Sequence, residues 1–144
     1  MLKTTLNNLP TDVAIFSAAV ADFKVKNKEK KKIKKDQISE LSLEKNTDIL
    51  GHISNHNLLR PKLVVGFAAE TNSLKKNSLK KLSEKNCDWI IANDVSDSTI
   101  GFGSDFNEVS IFYKNKEIKN EKLAMKKKSE ISEEIIDRVI KQLN

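Results

Sequence analysis

Three times along the chain an apolar run empties into a turn of small or polar residues, and that recurrence constrains the fold more than anything else in the sequence. The first run, residues 12–16, carries Val13-Ala14-Ile15-Phe16 and opens into Ser17-Ala18-Ala19-Val20-Ala21-Asp22. The second, residues 62–67, carries Leu63-Val64-Val65, and Gly66-Phe67-Ala68-Ala69-Glu70-Thr71 stands at its carboxyl end. The third is Trp89-Ile90-Ile91-Ala92, followed by Asn93-Asp94-Val95-Ser96. Strands without polar alternation are buried on both faces, as in a parallel sheet covered by helices. Ligands of such sheets bind beyond the carboxyl ends of the strands. The turns are therefore expected on one edge, where glycine and alanine let a ligand approach the backbone. Asp22 is the only carboxylate of the first turn.

That first turn leads into Lys24, Lys26, Lys28, Lys30, Lys31, Lys32, Lys34 and Lys35, with Ile33 inside the run. A cationic segment beside a ligand edge suits closure over an anion such as a nucleoside triphosphate; the alternative is a solvated lysine loop. The net charge of +6 also points to anionic partners. Arg60 and Arg138 are the only arginines, so the charge consists of mobile point cations rather than bidentate forks. With 144 residues the chain makes one domain. Its 38% hydrophobic and 32% charged content fits a globular protein. No apolar run nears the ~20 residues of a membrane span, and no signal-peptide core stands at the start, so a cytoplasmic location is expected. The single cysteine, Cys87, has no intrachain partner, in keeping with that compartment.

Between the strands the pattern turns helical. Residues 1–8 form an amphipathic lead-in closed by Pro10, and residues 38–44 alternate like a half-exposed strand with Leu41 and Leu43. Thr47 or Asp48 can cap a helix continuing through Ile49, Leu50 and Ile53, whose free N–H groups offer a phosphate site. His52 and His56 share its spacing, either as a zinc pair or as a solvated face. Phe67 can stack on a base or sit in the core. Residues 72–85 read as a helix with Leu74, Leu79 and Leu82 inward, and Lys81 and Lys85 one turn apart. A loop over 97–107 leads to an outer strand at 108–113, a turn at 114–116 and a short return at 117–119. Ser129 can cap a last helix with Glu130, Glu133 and Glu134 in its first turn and an apolar stripe of Ile131, Ile135, Val139 and Leu143. The order is that of an α/β layer with loops converging at one end.

Taken together, these segments resemble the phosphopantothenoylcysteine synthetases, the CTP-dependent phosphopantothenate–cysteine ligases of coenzyme A biosynthesis. In many bacteria they form the C-terminal part of a bifunctional flavoprotein. The resemblance rests on Ser17-Ala18-Ala19-Val20-Ala21-Asp22-Phe23, Lys32-Ile33-Lys34-Lys35 and Lys45-Asn46-Thr47-Asp48-Ile49. It continues in Val65-Gly66-Phe67-Ala68-Ala69-Glu70-Thr71, Lys85-Asn86 with Asp88, Ile91-Ala92-Asn93-Asp94-Val95-Ser96, and Gly101-Phe102 with Ser104-Asp105.

The resemblance implies a Rossmann-like parallel-core sheet, a long basic flap over about residues 23–40, and a C-terminal β-hairpin plus helix. It implies a ligase that joins 4′-phosphopantothenate to cysteine through an acyl-cytidylate, with CTP as substrate and magnesium accompanying it. Asp22, Lys32, Thr47, Asp48, Ile49, Leu50, Phe67, Lys81 and Lys85 match nucleotide-contacting positions, with Lys32 on the flap as the catalytic lysine. Thr47 stands where the family commonly has proline. Metal ligands are not assigned, nor are Asn93, Asp94 and the loop 101–105.

The family's glycine-rich turn and its Ile-Thr-Asn-type segment have no counterpart here. The chain is therefore expected to correspond to the C-terminal two-thirds of the ligase domain. A homodimer, or a separate chain supplying the absent segment, is the expected assembly. The alternatives are a non-catalytic nucleotide-binding remnant and a basic nucleic-acid-binding module. Against the last, no aromatic platform interleaves the lysines and no recognisable nucleic-acid motif is present.

Overall fold

The fold is built around β4 (Leu63–Glu70), which pairs in parallel with β1 (Val13–Phe16) on one side and β5 (Trp89–Asp94) on the other. A computed structural model describes residues 1–27, 40–96 and 104–144. Beyond β5 the sheet turns antiparallel through β6 (Phe106–Tyr113) and β7 (Glu121–Lys127), in the order β1-β4-β5-β6-β7. A separate antiparallel ribbon joins β2 (Phe23–Val25) to β3 (Leu43–Lys45) at the foot of the lysine-rich segment. The helices are α1 (Leu2–Asn7), α2 (Ile49–Ser54), α3 (Leu74–Lys85) and α4 (Lys128–Leu143).

The continuous apolar runs have the cause expected of them, since both faces of the sheet are covered. Leu63, Val65, Trp89, Ile91, Val109 and Ile111 point to one side and meet Ile131, Ile135 and Val139 of α4. Val64, Ala68, Ile90, Ala92 and Phe112 point to the other and meet Leu82 of α3, Cys87 and Leu50 of α2. Successive strand residues face opposite layers, so an apolar residue is needed at every position. The Rossmann-like α/β fold and the C-terminal hairpin plus helix are thus present.

Several boundaries differ from the sequence reading. The expected turns Gly66–Thr71 and Asn93-Asp94 are largely strand, because β4 and β5 stay in register from Val65↔Trp89 to Glu70↔Asp94. Cross-strand pairing overrides the poor strand propensity of glycine and alanine. The return strand is Glu121–Lys127 rather than 117–119, since Asn120 Oδ1 accepts from the Tyr113 N–H and the connection extends to that point. In α3, Leu79 is exposed and Ser78 is buried, the packed face running Leu74, Ser78, Leu82. Ser129 lies inside α4; Lys127 holds the cap position and its N–H donates to Glu130 Oε2. Leu143 is exposed, so the buried stripe of α4 ends at Val139. No helix among the described residues is long and apolar enough to cross a membrane.

Candidate functional site

At the carboxyl ends of β1 and β4 a cavity of about 480 Å³ opens between the 18–22 loop, the start of α2 and the side of α3. Asn46 brings the first two walls together. Its N–H donates to Asp22 O at 2.8 Å and its Nδ2 to Ala21 O at 2.7 Å. Asp22, Thr47 and Asp48 therefore stand side by side although the lysine-rich segment separates them in sequence.

Glycine sets the position of α2. A Cβ on Gly66 would lie 2.5 Å from Leu50 Cδ2 and 3.0 Å from Ile90 Cδ1, so α2 packs against the sheet only because that side chain is absent. The sequence offers Gly66 as room for a ligand to approach, but Leu50 fills that room. At the next residue of α2, a Cβ on Gly51 would lie 2.5 Å from Asp48 Oδ2. Glycine there lets Asp48 cap α2, with Oδ1 accepting from the Gly51 N–H at 3.2 Å. Asp48, not Thr47, is the cap.

Two lysines of α3 reach the cavity, each held by a carboxylate. Lys85 Nζ lies 2.7 Å from Asp48 Oδ2, and Lys81 Nζ lies 2.7 Å from Glu70 Oε1. Of the expected residues, Asp22, Thr47, Asp48, Ile49, Leu50, Phe67, Lys81 and Lys85 all line this one cavity. Ile49 and Leu50 form its apolar floor, while Phe67 is 37% exposed at its rim. Lys32 lies outside the described residues, as do residues 101–103 of the unassigned loop. Glu84 also lines the wall, so the carboxylates of Asp22, Asp48 and Glu84 stand on the same cavity as the ammonium groups of Lys81 and Lys85. That wall is no anion trap by itself, since its carboxylates offset its lysines.

Sequence reasoning missed Asn46, Glu70, Asn77 and Glu84. Asn77 and Lys81 stand four apart on α3 and both contact Glu70, a spacing that could have signalled the cluster. The histidine pair is local structure. His56 lies past the end of α2, and its Nδ1 accepts from the Leu58 and Leu59 N–H groups. Asp94 closes its own turn by accepting from the Ser96 hydroxyl and N–H, which holds its carboxyl below the usual range. A second cavity, about 400 Å³, lies toward α4 beside Asn93 and Asn107 and shares Ala18, Ala19, Phe67, Ala68 and Ala69 with the first.

Residues 1–143 match the family described as DNA/pantothenate metabolism flavoprotein C-terminal domain. The chain belongs to this family. Within it, the chain is 40% identical over 135 residues to the coenzyme A biosynthesis bifunctional protein CoaBC of Haemophilus influenzae, covering 90% of this chain and 32% of that protein. CoaBC of Bacillus subtilis is 38% identical over 130 residues, covering 90% of this chain and 31% of its own length. The crystal structure of a CoaBC C-terminal domain superposes with a TM-score of 0.71 at 29% identity, over 99% of this chain and 60% of that one. The chain thus spans about a third of the length of the curated relatives it matches.

Proposed function

We propose that this member of the flavoprotein C-terminal domain family is the nucleotide-binding component of a phosphopantothenate–cysteine ligase acting in coenzyme A biosynthesis. The observation that carries the reading is the convergence of Asp22, Thr47, Asp48, Phe67, Lys81 and Lys85, from four separate segments, on one cavity at the carboxyl edge of a parallel sheet. In the reaction proposed, the carboxylate of 4′-phosphopantothenate attacks the α-phosphorus of CTP. The bond to the β-phosphate breaks, leaving an acyl-cytidylate and pyrophosphate. The cysteine amine then attacks the acyl carbon, CMP departs, and the amine loses a proton.

In this scheme Lys81 and Lys85 hold phosphate oxygens, and Lys32 closes from the flap and supplies positive charge where it develops. Phe67 lies against the base, and Asp22 and Asp48 orient the nucleotide at the joined walls. The described residues form no cluster of three metal-ligating side chains, so a magnesium ion would be carried on the phosphates, and a single cavity carboxylate such as Asp22 or Glu84 would be enough to hold it there. Bound there, the ion would neutralise triphosphate charge. Because the chain spans only part of its relatives, the acyl substrate is expected to need residues from a further segment or subunit, as a homodimer or a two-chain assembly in the cytoplasm.

The test is calorimetry of the purified chain with CTP and magnesium, with ATP as control at the same salt. Selective CTP binding is expected. Equal binding of both nucleotides, with affinity falling steeply with salt and a matching response to nucleic acid, would favour a basic nucleic-acid module instead. Lys32→Ala should weaken CTP binding far more than Lys28→Ala; equal effects would reduce the lysine run to bulk charge.

A further inference from the structure

Glu70 carries a buried charge that the proposed reaction does not use. It is the last residue of β4, and its side chain is only 10% exposed although the nucleotide cavity opens close by. Burial of a carboxylate is costly unless partners compensate it. Its partners both come from one face of α3. Asn77 Nδ2 donates to Oε2 at 3.0 Å, and Lys81 Nζ stands 2.7 Å from Oε1. The ammonium approaches outside the angles of a directed hydrogen bond, so charge attraction holds it. Lys81 is 42% exposed and lines the cavity, leaving its N–H groups available to an anion there.

The other cavity lysine is held differently. Lys85 pairs with Asp48, whose side chain is 46% exposed and which water can solvate once the lysine moves. Glu70 has no such substitute. If Lys81 swung away, a nearly dry carboxylate would keep only its amide contact to Asn77. The Glu70–Lys81 pair is therefore the fixed one and the Asp48–Lys85 pair the exchangeable one.

We propose that Glu70 is a positioning residue of this cavity, a buried anchor that holds Lys81 in place to receive a phosphate group. The inference rests on the nucleotide reading of the cavity. Bulk electrostatics predicts the opposite sign, since removing a carboxylate near an anion site should tighten anion binding.

Glu70→Gln decides between the two. Glutamine keeps the size of the side chain and a carbonyl acceptor for Asn77 while deleting the charge. CTP affinity with magnesium should fall about tenfold, the order of one lost charge-assisted contact. Lys81→Met should cost about as much in the wild-type chain but less than about twofold in the Glu70→Gln background, because the lysine is already unanchored. Affinity that is unchanged or tighter in Glu70→Gln, or losses that add, would overturn the proposal.

The Lys81 Nζ resonance of 15N-lysine-labelled wild-type chain gives a readout that needs neither ligand nor a folded variant. It is expected to be slowed in exchange relative to Lys75 and Lys76 of the same helix, which pair with no carboxylate among the described residues; exchange equal to theirs would overturn the anchoring. If the resonance is protected but wild-type chain binds no CTP, the nucleotide reading fails while the Glu70–Lys81 contact stands.

Discussion

Removing the Arg60 guanidinium tests whether the amino edge of the sheet is a scaffold energetically separate from the cavity. Arg60 precedes β4 and Asp88 precedes β5, at the strand ends opposite the site. Nε donates to Ser54 O at 2.8 Å, and Nη1 to Pro61 O at 2.9 Å. Nη2 donates to Asn86 O at 3.2 Å and contacts both Asp88 oxygens at 2.9 and 3.0 Å. Asp88 Oδ2 also accepts the Val64 N–H at 2.7 Å. One side chain thus joins the end of α2 to the starts of β4 and β5.

Arg60→Met keeps much of the aliphatic volume and deletes every donor. Each carbonyl stripped of its partner costs about 1 kcal/mol when dry, and a buried carboxylate losing its cation about 3–5 kcal/mol. Arg60 and Asp88 retain 27% and 26% exposure, so water replaces part of this and the pair is partly screened. The net loss should be about 2–3 kcal/mol. With an m-value of about 2 kcal/mol/M, the urea midpoint falls by about 1–1.5 M. The thermal midpoint falls by roughly 4–10 °C. Adding Asp88→Asn should cost less than its effect in the wild type, since the two share one network. Nucleotide affinity measured well below the transition should not change. A loss under about 0.5 kcal/mol, or additive losses, would refute the reasoning.

Gly66→Ala should destabilise by about 1 kcal/mol, as overpacking against Leu50 outweighs the backbone gain of alanine in a strand. Repeating it in a Leu50→Ala background should abolish or reverse the loss in urea melts; a penalty that persists there would place the clash elsewhere. Arg138, and then Tyr113, hydrogen-bonds Glu121 and holds its carboxyl below the usual range. A depressed native pKa gives stabilisation that is present at neutral pH and lost as pH falls through the native value. Glu121→Gln should therefore lower stability at pH 7 and flatten its decline below about pH 4.5, and a wild-type acid slope in the variant would count against this. Burial pushes the Cys87 thiol up to about 12. A thiol reagent at pH 8 should label it only at the rate of opening; prompt stoichiometric labelling of native chain would contradict its burial.

The sequence by itself determined the layer architecture and most of the cavity wall. Runs such as Leu63-Val64-Val65 and Trp89-Ile90-Ile91 are apolar at every position, which only a sheet covered on both faces can use. Family motifs and local capping chemistry together marked Asp22, Asp48, Lys81 and Lys85, because small turns, caps and i,i+4 spacing are short-range signals. Tertiary structure decided what depends on partners distant in the chain. β4 and β5 extend past their apolar cores because each supplies the other's hydrogen bonds through Glu70↔Asp94. Gly66 serves Leu50 rather than a ligand, a fact visible only once α2 lies on the sheet. Glu70 read as one acid in a surface turn, and burial beside Asn77 and Lys81 made it an anchor. Local propensity is written residue by residue, whereas burial and charge pairing exist only between segments that folding has brought together.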